Sequence, residues 1–141
     1  MDYTKTKLGY LLKLDEGEEL LSSLSEFAAK MKIKSATLSG LGAAKSADLA
    51  HYDTKNKKYN TKRFEGMLEI VNAIGNISRL NDKPSIHVHL TLGLEDYSTV
   101  AGHLMSCVVK PTCEISLICF DSKVIRKFDE KSGLNLQFFE K

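Results

Sequence analysis

The sequence has no tryptophan, only two prolines and only three cysteines in 141 residues. Cys107, Cys113 and Cys119 are odd in number and contain no C-x-x-C pair, which argues against a disulfide scaffold or a thiolate metal knuckle. They read as reduced, mostly buried thiols, spaced to share one strand face apart from the interruption at Pro111. No apolar run approaches the roughly 18–20 residues that a membrane span needs. The opening Met1-Asp2-Tyr3-Thr4-Lys5 lacks the basic and apolar regions of a secretion signal, so a cytoplasmic location and no membrane partner are expected. Charge of one sign is scarce as well. The 20 basic and 18 acidic residues leave a net charge of +2, which excludes a chain-wide polybasic coat and leaves only local patches for nucleic acid. P-loop, dinucleotide, nucleophile-elbow, H-E-x-x-H and H-x-E…C-x-x-C signatures are all missing.

What remains is an ordinary globular composition, 43% hydrophobic and 27% charged. At this length about two-thirds of the unfolded surface can be buried, so residues 1–141 are expected to fold as a single domain without staples. Gly17 to Met31 is the clearest helix. Leu20, Leu21, Leu24, Phe27, Ala28 and Met31 form one stripe at the 3.6-residue period, with Glu18 and Glu19 at the start and Lys30 near the end. Strand-like segments dominate elsewhere: Leu8–Leu14, Ser35–Ser39, Ala47–Tyr52, Lys58–Phe64, Met67–Ile77, Ile86–Leu92, Thr99–Val109, Thr112–Phe120 and parts of Val124–Phe139. Ser39-Gly40-Leu41-Gly42-Ala43 reads as a tight turn or bulge, and Gly75-Asn76 as another. The pattern predicts an α+β fold, a mainly antiparallel β-sheet packed against one or two helices.

Asp53-Thr54-Lys55-Asn56-Lys57 joins two strands as a hairpin tip. The hairpin carries Lys55, Lys57, Lys58, Lys62 and Arg63 with no acid among them, and Tyr52 and Tyr59 stand near enough to stack on bases. These five cations are the candidate nucleic-acid contacts. Asp53 and Glu65 bracket the run, as expected for a solvated tip.

Three of the four histidines are close in sequence. In Ile86-His87-Val88-His89-Leu90-Thr91-Leu92 the period of two sends the aliphatic residues to one face and His87, His89 and Thr91 to the other. A turn centred near Glu95-Asp96 folds the next strand back antiparallel. That places His103 opposite His87 or opposite His89, on the histidine face in either of those registers, whereas an odd register would send it to the core. Three neutral imidazoles with an open fourth position suit zinc or another divalent transition metal, one per chain. His51 reads as an isolated strand residue. Tyr52, Glu69 and Glu114 are the candidate neighbours that would orient or deprotonate a ligand, and the catalytic residues themselves are left open.

The strings Gly17-Glu18-Glu19-Leu20, Ser39-Gly40-Leu41-Gly42-Ala43, Phe64-Glu65-Gly66-Met67-Leu68-Glu69-Ile70, Gly75-Asn76-Ile77-Ser78, His87-Val88-His89-Leu90, Gly102-His103-Leu104, Pro111-Thr112-Cys113-Glu114-Ile115 and Arg126-Lys127-Phe128-Asp129 run the length of the chain. In that order they resemble the plants-and-prokaryotes-conserved (PPC) domain family, in its stand-alone prokaryotic form. The resemblance implies a homotrimer with a histidine-held metal, usually zinc, at positions matching His87, His89 and His103. It also implies a DNA-binding or regulatory description, with DNA or another protein as partner. The Arg-Gly-Arg-Pro hook of plant relatives does not occur here, and Met67 stands where they carry arginine. The residues alone support a second reading, a small metal-dependent hydrolase or lyase.

Overall fold

A computed structural model describes residues 1–139. Its elements are β1 (Asp2–Lys5), β2 (Gly9–Asp15), α1 (Leu20–Lys30), β3 (Ser35–Asp53), β4 (Lys58–Leu80), β5 (Lys83–Gly93), β6 (Thr99–Phe120), β7 (Ile125–Asp129) and β8 (Leu134–Phe138). All eight strands belong to one sheet, ordered β1-β2-β6-β3-β4-β7-β8, with β5 bridging β4 and β6. Because β3 pairs with β4, β4 with β5, β5 with β6 and β6 with β3, those four strands close a hydrogen-bonded circuit. Pairing is antiparallel throughout except for the single β4–β7 bridge at Arg79 and Ile125.

The fold is mainly β with one helix, so the expected one or two helices resolve to one. Alternation dictates the core. Leu12 and Leu14, Leu68 and Ile70, Val88, Leu90 and Leu92, and Cys113, Ile115 and Leu117 all point inward and are almost fully buried. The helix adds Leu20, Leu24, Phe27 and Ala28 to the same cluster. Cys107 and Cys113 are free, buried thiols of this core, and burial pushes their pKa values up to about 12 and about 11.

Several expected strand ends are instead bulges within longer strands. Ser35–Ser39 and Ala47–Tyr52 join as β3, whose registers slip around Gly42, within the Ser39–Ala43 stretch expected to turn or bulge, and again around Lys45 and Asp48. Lys58–Phe64 and Met67–Ile77 join as β4, and β6 runs on through Pro111. A strand that must coil around a closed circuit needs local extra twist, and bulges supply it without ending the ladder. Gly75 is no bulge. It pairs in regular register with Leu38 and Val88, while the β4 slips fall at Val71 and between Glu65 and Leu68. A Cβ on Gly75 would stand 2.1 Å from the carbonyl oxygen of His87, so only glycine lets β5 approach there.

Glu19 caps α1 rather than sitting in its first turn. One carboxylate oxygen accepts from Ser22 N at 2.7 Å, and the other accepts from Cys107 N on β6 at 3.1 Å. The same side chain therefore ends the helix and ties it to the sheet. Replacing Glu19 with Ala is expected to lower stability by about 1–2 kcal/mol, measured by urea unfolding; an unchanged midpoint would show that the cap is redundant.

Candidate metal centre

His87 and His89 stand on β5, where Val88, Leu90 and Leu92 fill the core and leave His89 exposed and His87 half-buried. The β5–β6 ladder sets His103 directly opposite His89, one of the two registers the turn allowed. His87 is paired with Asn76 of β4. The three rings converge, with centroids 5.1 Å apart for His87–His89, 4.9 Å for His87–His103 and 5.4 Å for His89–His103.

Each imidazole can offer one nitrogen, and these nitrogens all lie within 4.8 Å of one another. The Nε2 atoms of His87 and His89 are 3.2 Å apart. A tetrahedral zinc with bonds of about 2.0–2.1 Å needs ligand atoms roughly 3.3–3.4 Å apart, so this edge has the required length. His103 Nδ1 is buried without a hydrogen-bond partner among the described residues, the unsatisfied state that an ion resolves. Burial, followed by the charges of His103, Arg126 and His89, holds His87 down at about 4. Burial also lowers the pKa of His103, with His89 and Arg126 adding to it. His87 and His103 are therefore neutral near pH 7 and carry free lone pairs, as metal ligation requires.

Two side chains outside the sequence-predicted set complete the surroundings. Tyr59 stacks on His103 with centroids 4.8 Å apart and planes 21° apart. Arg126, half-buried, donates from Nε to Ser78 Oγ at 2.8 Å and from one terminal nitrogen to the Asn135 carbonyl at 2.8 Å. Its other terminal nitrogen lies 2.9 Å from Asn76 Oδ1 and 3.3 Å from His87 Nδ1. Neither residue announces itself by spacing: Arg126 lies on β7, reached only because that strand docks beside β4.

Of the predicted neighbours, only Tyr52 approaches the cluster, and it does so indirectly. Its ring packs on Tyr59 at 4.9 Å while its hydroxyl donates to the Ser132 carbonyl at 2.6 Å. Glu69 is opposite Gly93 and Ala43, at the far end of β5. Glu114 faces Lys13 and Leu41 across the sheet and lines an open groove of about 850 Å³ with Leu11 and Val71. Neither acid joins the histidines, because register carries them along the strands away from His89. The basic hairpin forms as expected, but three of its cations are engaged, Lys62 with its ammonium 5.1 Å from the Phe64 ring centroid. Arg63 pairs with Glu65 at 2.6 Å and Asp48 at 3.1 Å, and Lys57 donates to the Glu130 carbonyl at 2.6 Å. Lys55, Lys58 and Lys62 remain exposed.

The family profile described as "Plants and Prokaryotes Conserved (PCC) domain" matches residues 1–121. Among solved structures, a protein of Bacteroides thetaiotaomicron described as a "putative DNA binding protein" is 31% identical, with TM-score 0.95 over 99% of this chain and 98% of that one. One of Ralstonia eutropha JMP134 with the same kind of description is 30% identical, with TM-score 0.93 over 98% and 96%. A structure described as a metal-containing protein from Archaeoglobus fulgidus is 34% identical, with TM-score 0.87 over 98% and 97%. No curated protein matches the chain significantly.

The depressed His87 pKa has a defined consequence for the metal-free protein. The unfolded chain takes up a proton near pH 6.5 that the folded chain refuses until about 4, so this contribution to stability is intact above 6.5 and fades as pH falls toward 4. Chelator-treated protein is expected to lose more melting temperature between about pH 7.5 and about pH 5 than its His87→Asn variant does. Equal losses in the two proteins would remove His87 as the source.

Proposed function

The chain belongs to the Plants and Prokaryotes Conserved (PCC) domain family, and from that premise we propose that it is a homotrimeric, metal-binding module that acts on DNA as a regulator. The observation that carries the metal part is the three-imidazole cluster, whose donor set suits zinc or another divalent transition metal, one per chain. The description of the Archaeoglobus relative as metal-containing supports it. His87, His89 and His103 would hold the ion, and when bound it supplies Lewis acidity at an open coordination position.

Assembly is supported by the surface. The single chain exposes 8682 Å², against about 7,000 Å² expected for a compact monomer of this size. Leu11, Leu41, Val71, Ile74 and Ile118 are each more than four-tenths exposed on the outer side of the sheet. Leu11, Ser116, Ser39, Ile74 and His89 form one cross-strand row, so this apolar face runs into the histidine cluster. Contact with DNA is supported by the descriptions of two relatives and by the exposed lysines of the hairpin. Symmetric assembly would present three hairpins and multiply a weak local charge. A second reading, a small metal-dependent hydrolase or lyase, is favoured by one feature: Arg126 and Tyr59 stand beside an open-sided ligand cluster.

Metal analysis with light scattering tests the first part. The purified protein is expected to hold one divalent ion per chain in a particle three times the 15.7 kDa chain mass, and His87→Ala, His89→Ala and His103→Ala should each lose the ion while keeping the β-rich spectrum. Full metal in all three variants would overturn the ligand assignment. For DNA, micromolar protein should retain duplex at about 50 mM salt, with a log–log salt slope that drops by roughly one for each of Lys55, Lys58 and Lys62 changed to Gln. No retention at that salt removes the nucleic-acid reading.

A further inference from the structure

Arg126 is fixed by three groups besides the histidine cluster. Its Nε donates to the buried Ser78 Oγ at 2.8 Å, one terminal nitrogen donates to the Asn135 carbonyl at 2.8 Å, and the other donates to Asn76 Oδ1 at 2.9 Å. Asn76 is held in turn, because Gln137 Nε2 donates to the same oxygen at 3.1 Å. So anchored, the terminal nitrogen that meets Asn76 also lies 3.3 Å from His87 Nδ1. A guanidinium carries N–H donors and no acceptor, so this contact is a hydrogen bond only when Nδ1 accepts. A neutral imidazole that accepts at Nδ1 carries its proton on Nε2. His87 Nε2 stands 3.2 Å from His89 Nε2, where that proton finds an acceptor. The metal-free side chains thus form one directed relay, from Arg126 to His87 to His89.

Metal ligation demands the opposite arrangement. His87 turns Nε2 toward the other imidazoles, and a ligating Nε2 gives up its proton, which leaves the neutral ring protonated at Nδ1. Ligating histidines ordinarily donate that outer N–H to a carboxylate, a carbonyl or a water, and partners in that position change metal affinity by about 10–100-fold. Here the side chain at the outer edge is itself a donor. Loading the cluster therefore sets one N–H against another and gives up the relay. Charge acts in the same sense. The guanidinium is half-buried, its partners among the described residues are all neutral, and the cluster contains no carboxylate to offset it. A cation so placed opposes the arrival of a divalent ion.

We infer that Arg126 latches the histidine cluster in its metal-free arrangement, so that the site takes up and releases an ion reversibly instead of holding it as a permanent part of the fold. Arg126 is a positioning residue in this device: it acts through His87 and needs no contact with the ion. Because coupling is reciprocal, an ion on the cluster weakens the hold of Arg126 on His87 by the same factor. The inference rests on the metal-binding part of the reading above and is independent of the DNA and trimer parts.

The test is zinc affinity, measured near neutral pH in competition with a chromophoric chelator, for the wild type and three full-length variants. Arg126→Gln, whose amide oxygen can accept from an Nδ1–H, is expected to bind zinc about tenfold or more tightly than the wild type. Arg126→Lys, still a cationic donor, should gain less, and the control Lys131→Gln, between β7 and β8, should match the wild type. A merely structural role for Arg126 would weaken zinc binding in both of its variants. Unchanged or weaker binding in Arg126→Gln, or an equal gain in Arg126→Lys, would therefore overturn this inference alone. The tautomer supplies a readout that needs no variant and so survives a failure of Arg126→Gln to fold. Long-range proton–nitrogen NMR of the metal-free wild type should find the His87 proton on Nε2, and zinc should move it to Nδ1. An Nδ1–H ring in the metal-free protein would likewise overturn the latch. Failure of the wild type to hold zinc would overturn it together with the metal-binding reading.

Discussion

The pairing of His89 with His103 across the β5–β6 ladder is the contact on which the site depends. Side chains on a strand alternate strictly, so a slip of one residue there would turn His103 into the core and bring Gly102 or Leu104 to the histidine face. What holds the register is the apolar set on the other side. Val88, Leu90, Leu92 and Leu104 are almost fully buried, and exposing them would cost several kcal/mol, about 1.5–3 for each side chain. The site geometry is thus maintained by core packing rather than by any attraction among the histidines, which repel one another once charged.

The strand circuit supplies the remaining members. Gly75 lets β4 run against the backbone at His87, Asn76 on the same strand anchors Arg126, and the β3–β4 hairpin returns Tyr59 over His103. Three strands and the outlying β7 therefore converge on one small region. Its chemistry differs from that of the surrounding surface. Elsewhere some cations are paired with carboxylates, as Lys13 is with Asp2 and Asp15, and Lys123 with Asp82. Among the described residues the cluster includes no carboxylate, and burial, first among the causes, holds the pKa values of His87 and His103 down.

Much of this was legible in the chain. The helix was recognisable from its stripe, the β5 face from simple alternation, and the hairpin at residues 53–57 from its turn chemistry. Glycine and proline misled in a consistent way. Read as punctuation, they divided β3, β4 and β6 into shorter pieces, whereas in a coiled closed sheet they mark bulges and close approaches inside continuous strands. Glu69 and Glu114, the acids named as candidate neighbours, stand away from the histidines. Their displacement follows from strand length: a residue a few positions along a ladder is already more than about 10 Å away.

By itself the amino-acid order determined the face that His87 and His89 share, because a period of two is a local property of any strand. It also placed His103 on that face in either even register of the hairpin, an odd one sending it into the core. Which register holds, and which side chains surround the cluster, were decided by the tertiary structure. Arg126 and Tyr59 reach the histidines through pairings between segments far apart in the chain, and such contacts are set by how the whole sheet closes on its core.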